Sequence, residues 1–166
     1  LAKVPGNPTT IGNSAFMFSG VTELISQSVN VGVLAFWGCA SLVKVNAAGT
    51  FGNGAFSCCE NLKELRIAGT LGNAAFGSCI GIEAADISGV TEMGEKVFTG
   101  CTGLISITVP SPVPSIGKEA FMGCISIVSV SLPASVTAID SSAFIGCSEL
   151  KTISIDAGNQ TYRVAG

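Results

Sequence analysis

Seven cysteines carry most of the chemistry this chain has to offer, and six of them recur at regular intervals: Cys39, Cys59, Cys79, Cys101, Cys124 and Cys147. A ladder of thiols could bind a soft metal ion or relay redox equivalents, since sulfur is a standard zinc ligand. The spacing argues against it. Zinc ligands converge from short cysteine knuckles, whereas these recur once every 20 to 23 residues, and the chain has no histidine to complete a mixed site. Read as structure, cysteine is a small, polarizable and often buried side chain that fits beside stacked aromatic rings. Parallel side-chain vectors along such a column also disfavour the torsion a disulfide needs. Six buried free thiols are therefore expected. Cys58 directly precedes Cys59, should point elsewhere, and is the thiol expected to react.

Catalysis finds little else to use. The absence of histidine removes the usual general base, and there is no G-x-S-x-G, H-E-x-x-H or phosphate-binding loop. The eleven carboxylates are mostly dispersed, and the close pair Glu92 and Glu95 reads as a solvated linking arc. No enzyme, catalytic residue, cofactor or metal is expected. With eight basic residues against eleven acidic ones, a net charge of −3 and no basic cluster, nucleic acid is not the expected partner. Mean hydropathy is +0.60. Every apolar run is nevertheless interrupted well short of the roughly 18 residues that span a bilayer, so no membrane insertion is expected.

The elements that position these residues follow from a repeat. Three residues before each column cysteine stands a phenylalanine. The full series is Phe16, Phe36, Phe56, Phe76, Phe98, Phe121 and Phe144, with separations of 20, 20, 20, 22, 23 and 23 residues. The first copy has Ser19 in the cysteine place, as an atypical terminal repeat would. Five residues before each Phe is an apolar residue, followed in six copies by glycine. After each Cys come three more apolar positions, as in Leu62, Leu65 and Ile67, the last two alternating with polar neighbours in the manner of a short strand. The first copy carries Val21, Leu24 and Ser26 one place early, a one-residue deletion. Phe-x-x-Cys-x-x-Leu suggests a tight helical or 3₁₀-like corner, with the preceding glycine allowing a sharp change of direction. Length varies only between one strand and the next copy, where the later arcs carry Pro110, Pro112, Pro114 and Pro133. Insertions confined to one arc are what a solenoid tolerates.

The skeleton I-G-x-x-A-F-x-G-C-x-x-L-x-x-I-x-I-P, clearest from Ile116 to Pro133, resembles the BspA-like leucine-rich repeats of bacterial and protozoan cell-surface proteins. The stretch Asp156-Ala157-Gly158-Asn159-Gln160-Thr161-Tyr162 is similar to the D-x-x-N-x-x-Y segment that interrupts or closes such arrays. With the resemblance, the expected fold is an α/β-type, mostly β, right-handed curved solenoid of about seven 20–23-residue coils with one parallel strand per coil. The expected organisation is an N-terminal segment 1–10, a repeat domain 11–156 and a truncated C-terminal segment 157–166. The chain begins at Leu1 without a leader and so reads as a processed product or a fragment.

Function is then expected on the outward strand face. Two columns point there: Glu23, Lys44, Glu64, Ala84, Ser106, Ser129 and Thr152, and two residues on, Ile25, Asn46, Arg66, Asp86, Thr108, Ser131 and Ser154. The candidate partner-binding residues are Glu23, Lys44, Asn46, Glu64, Arg66, Asp86, Ser106, Thr108, Ser129 and Ser131. They could bind a protein or glycan ligand, or the opposite charges could simply neutralise one another while Ser and Thr keep the strands soluble. Trp37, the only tryptophan, reads as a partly exposed corner aromatic or a contact anchor. The resemblance implies a secreted or cell-surface protein with an adhesion or protein-binding role. The alternative is a passive spacer that projects another domain.

Overall fold

The computed structural model describes residues 2–3 and 9–162, with residues 2–3 described for their backbone alone. The segments 1–10 and 157–166 thus lie partly outside the described residues. The chain is a parallel β-solenoid of about seven coils with no helix among the described residues.

Alternating apolar and polar residues make the strands. In β4 (Lys44–Phe51) and β5 (Glu64–Leu71), Val45, Ala47, Leu65 and Ile67 are buried, while Lys44, Asn46, Glu64 and Arg66 face out. These strands are long because their linking arc is short enough to stay within the ladder. Its bend falls at Gly49 and Gly69, where φ is 146° and 103°. A Cβ there would lie 1.9 Å and 2.0 Å from the carbonyl oxygens of Val29 and Gly49 in the preceding coil, so only glycine fits. With β1 (Ala2–Lys3), β2 (Thr10–Ile11), β3 (Val21–Val31) and β6 (Ala85–Met93), they form one six-stranded sheet.

Where the arc lengthens, proline divides the strand, since it has no N–H to give to a ladder. β7 (Ser106–Thr108), β9 (Ser129–Leu132) and β11 (Thr152–Ile155) form a three-stranded sheet, and β8 (Ser115–Ile116) pairs with β10 (Ala138–Ile139) in a second. The single strand expected per coil is thus joined in the later coils by a second, shorter one. Turns closed by Val113 N–H to Pro110 O (3.0 Å) and Val136 N–H to Pro133 O (3.4 Å) swing Val113 and Val136 into the core, where both are fully buried.

The corner is not the helical or 3₁₀ segment that its spacing suggests. In the second coil Ala35, Trp37 and Cys39 donate to Gly32, Leu34 and Phe36 within the turn, while Leu34, Phe36 and Gly38 donate to Asn53, Ala55 and Ser57 of the next coil. Every second N–H is thereby turned across the coils, which a helix forbids. The alternation requires left-handed backbone two residues before and two after the Phe, as at Leu34 (φ 56°) and Gly38 (φ 67°). The glycine four residues before the Phe has a different task from the one expected. It does not have left-handed φ. A Cβ on Gly32, Gly52, Gly72 or Gly94 would lie 2.5–2.8 Å from atoms of the preceding coil, so these glycines permit close stacking.

The core is a set of columns. The seven Phe rings stack with centroids 5.1–5.7 Å apart and planes within 12°. Phe36, Phe56, Phe76, Phe98 and Phe121 are fully buried, and the end rings Phe16 and Phe144 are partly covered. One coil alone could not bury these faces, so stability is shared between neighbours.

Candidate functional site

The thiol column is explained by backbone chemistry. Each sulfur donates to the carbonyl of the Phe one coil earlier: Cys39 to Phe16 (2.9 Å), and Cys59, Cys79, Cys101, Cys124 and Cys147 to Phe36, Phe56, Phe76, Phe98 and Phe121 (3.1 Å each). That carbonyl already accepts the N–H of the residue three places on in its own coil, Ser19 for Phe16 and a Cys thereafter, as in Cys59 N–H to Phe56 O, so the thiol fills its second lone pair. Cysteine is the small apolar residue that can also donate, which the spacing alone does not reveal. Burial, and next the neighbouring thiol, raise Cys101 and push Cys124 up to about 12. Burial raises Cys147 as well. All seven cysteines are free, and among the described residues no three Cys, Asp or Glu side chains gather as metal ligands would. Cys58 is half-buried at a left-handed position (φ 60°) outside the column.

The outward face has the register that the spacing predicts. Glu23, Lys44 and Glu64 are direct ladder partners, as are Ile25, Asn46 and Arg66, followed by Asp86. Lys44 Nζ lies 2.6 Å from Glu64 Oε2, and Arg66 Nε lies 3.1 Å from Asp86 Oδ2. The hydrogen bond to Glu64, then the charges of Glu64 and Glu23, raise the Lys44 pKa. Asp86 is held below the usual carboxylate range chiefly by Ser88, whose hydroxyl (2.7 Å) and N–H (3.1 Å) both donate to Oδ1, with Arg66 adding to the effect. Around these pairs is a shallow groove of about 420 Å³, lined by Lys44, Asn46, Lys63, Glu64, Arg66 and Asp86 among others. Lys63 was not in the sequence-derived columns because it stands one residue before the strand begins.

The remaining candidates lie in a different sheet. Ser106, Ser129 and Thr152 are aligned on β7, β9 and β11, as are Thr108, Ser131 and Ser154. Ser154 Oγ donates to Ser131 Oγ at 2.9 Å. No ladder joins β6 to β7, so the charged patch and the hydroxyl patch belong to separate sheets. One extra residue between Asp86 and Gly89 and another between Val90 and Glu92 shift the register of β6 against β5, and Asp86 turns its carboxylate to Ser88.

Two other sequence features acquire definite roles. Trp37 is half-buried and meets Phe18 edge to face at 4.6 Å. Asn159 is 4% exposed. Its Nδ2 donates to Pro133 O and Val136 O (3.0 Å each), and its Oδ1 accepts from the N–H groups of Thr161 and Tyr162. Asn159 is therefore a cap on the preceding proline arc, with both of its amide N–H groups engaged.

These features can be set beside known proteins. The BspA type leucine rich repeat region matches residues 2–101 and 69–164, with six copies. No curated protein sequence matches the chain. The chain is similar to a leucine rich cell surface protein from Faecalibacterium prausnitzii A2-165, with 25% identity and a TM-score of 0.63, over 90% of this chain and 52% of that one. It is similar to a leucine-rich repeat protein from Bacteroides ovatus ATCC 8483, with 27% identity and a TM-score of 0.71, over 89% of this chain and 41% of that one. A T. pallidum leucine rich repeat protein shares the fold at 23% identity and a TM-score of 0.59, over 90% and 81% of the two chains. The chain spans about half or less of the length of the first two. The stacked Phe column, its companion thiols and the matched repeats together place the chain in the BspA-type leucine-rich repeat family.

Proposed function

We propose that this chain is a non-enzymatic interaction module of an exported or cell-surface protein, and that it binds a protein partner through the outward strand face. The observation that carries the reading is the groove bordered by the Lys44–Glu64 and Arg66–Asp86 pairs, in which Glu64 and Arg66 remain 68% and 72% exposed. Exposed ion pairs contribute only about 0–1 kcal/mol to stability. Folding does not need these charges, whereas alternating charge on an open face supplies specificity and steers association. The F. prausnitzii relative is described as a cell surface protein, which supports the localisation. Asn46 and Lys63 extend the polar rim of the same face.

Simultaneous replacement of Lys44, Glu64, Arg66 and Asp86 by alanine tests the reading. Loss of binding to intact cells or immobilised matrix proteins with an unchanged melting temperature supports it. Unchanged binding removes this face as the contact, and no binding by the parent chain to either surface leaves the passive spacer as the better description.

A further inference from the structure

A second surface, away from the strand face, breaks the rules that the rest of the fold obeys. The position two residues after each Phe has left-handed backbone in every coil and is small in six of them: Gly38, Cys58, Ser78, Gly100, Gly123 and Gly146. In the first coil it is Phe18, at φ 56° and 67% exposed. A bulky aromatic in that conformation is uncommon, and most of this ring is left in water. Its ring lies over Gly38, where a Cβ would come within 2.7 Å of two ring carbons, and it packs edge to face on Trp37. Met17 precedes Trp37 in the same column, and both are half-buried. The result is a small aromatic tip at one corner of the first two coils.

We infer that this tip is a contact for the surface of a neutral lipid bilayer. Two observations favour lipid over a protein partner. The first is charge. The corner segments of the first four coils, residues 11–19, 31–39, 51–59 and 71–79, contain no Asp, Glu, Lys or Arg, whereas the later three contain Glu95, Lys96, Lys118, Glu119 and Asp140. The second is size, because three side chains supply only a fraction of the roughly 800 Å² per partner that a stable protein interface buries. A bilayer asks for less: an apolar wedge, with amphipathic rings such as tryptophan at the headgroup level. The lack of basic residues at the tip points to zwitterionic rather than anionic headgroups. Among the described residues no helix is long and apolar enough to span a membrane.

Trp37 is the only tryptophan and reports on its own surroundings. Titration with vesicles of pure phosphatidylcholine should shift its emission to the blue and carry the protein with the vesicles on flotation, to the same extent at ~0.5 M salt, where surface electrostatics are screened. Phe18→Ser should weaken partitioning about tenfold, equivalent to 1.4 kcal/mol. Ser78 already holds the same backbone conformation (φ 58°) at the equivalent place, so this variant is expected to fold, and an unchanged melting curve checks that it has. Phe18→Gly, matching Gly38, serves as the second variant. The inference is overturned by no shift and no flotation, by binding that needs anionic lipid, by equal binding of parent and both variants, or by a blue shift that follows protein concentration without vesicles and coincides with dimer formation.

Discussion

Replacing Phe76 and Phe144 by alanine, one at a time, measures how the stacked core divides its stabilisation among coils. Phe76 is fully buried between Phe56 at 5.2 Å and Phe98 at 5.6 Å. Truncating a buried Phe costs about 3–5 kcal/mol, and each aromatic pair lost contributes roughly 0.5–1.5 kcal/mol of that. Phe144 has one stacked neighbour, Phe121 at 5.4 Å, and is partly exposed. With part of the ring exposed the expected cost is about half, roughly 1.5–2.5 kcal/mol. Urea unfolding followed by far-ultraviolet circular dichroism, fitted with a shared slope, gives both values. A nearest-neighbour solenoid also predicts that Phe144→Ala loosens the last coil before the rest, while Phe76→Ala lowers the main transition. Equal losses at the two positions, within about 0.5 kcal/mol, would refute the reasoning, because that is the limit within which independent sites are distinguished.

Glycine substitutions should separate close stacking from backbone freedom. Gly52→Ala and Gly72→Ala, whose Cβ would lie 2.8 Å from the preceding coil's backbone, should lower stability by about 1–3 kcal/mol. Gly12→Ala, which meets nothing within 4 Å, should change it by less than about 0.5 kcal/mol on the same denaturation assay. For the thiols, the ordinary value of 9.0 rises to about 12 at Cys124, so the folded chain holds that proton more tightly than the unfolded chain. Its contribution is complete below pH 9 and is lost as pH climbs toward 12. The stability gap between the parent and Cys124→Ala should accordingly narrow when urea midpoints are compared across that range, and a constant gap counts against it. Asn159→Ala removes both donors to Pro133 O and Val136 O, which predicts a loss of roughly 1–3 kcal/mol and faster amide exchange in the last coil by mass spectrometry.

Much of this was legible from spacing. In a ladder that advances one coil per repeat, equal offsets from Phe become lateral neighbours, so the pairing of Lys44 with Glu64 and of Arg66 with Asp86 follows from counting. Features that depend on local backbone geometry were not. Val113 and Val136 each stand three residues after a proline, Pro110 and Pro133, in arcs that the shorter early copies lack, so the common skeleton does not mark them, yet both are core. The break between the two outward patches is a missing ladder between β6 and β7, and the length of an insertion does not say where a sheet will end. The turn misled because three-residue spacing suits a 3₁₀ helix and a string of i to i+3 turns equally well. Only the cross-coil bonds of Leu34, Phe36 and Gly38 decide between them. Phe18 reads in sequence as one more apolar residue, and its meaning lies in a left-handed backbone that composition cannot express.

The most direct test of the functional account is binding of the labelled chain to intact cells and immobilised matrix proteins, compared with the variant in which Lys44, Glu64, Arg66 and Asp86 are all alanine. The account predicts saturable binding by the parent that weakens as salt rises. The variant should lose it while melting within about 1 kcal/mol of the parent, as expected for two exposed ion pairs. Binding that survives all four substitutions, with the variant folded, would contradict the assignment of this face.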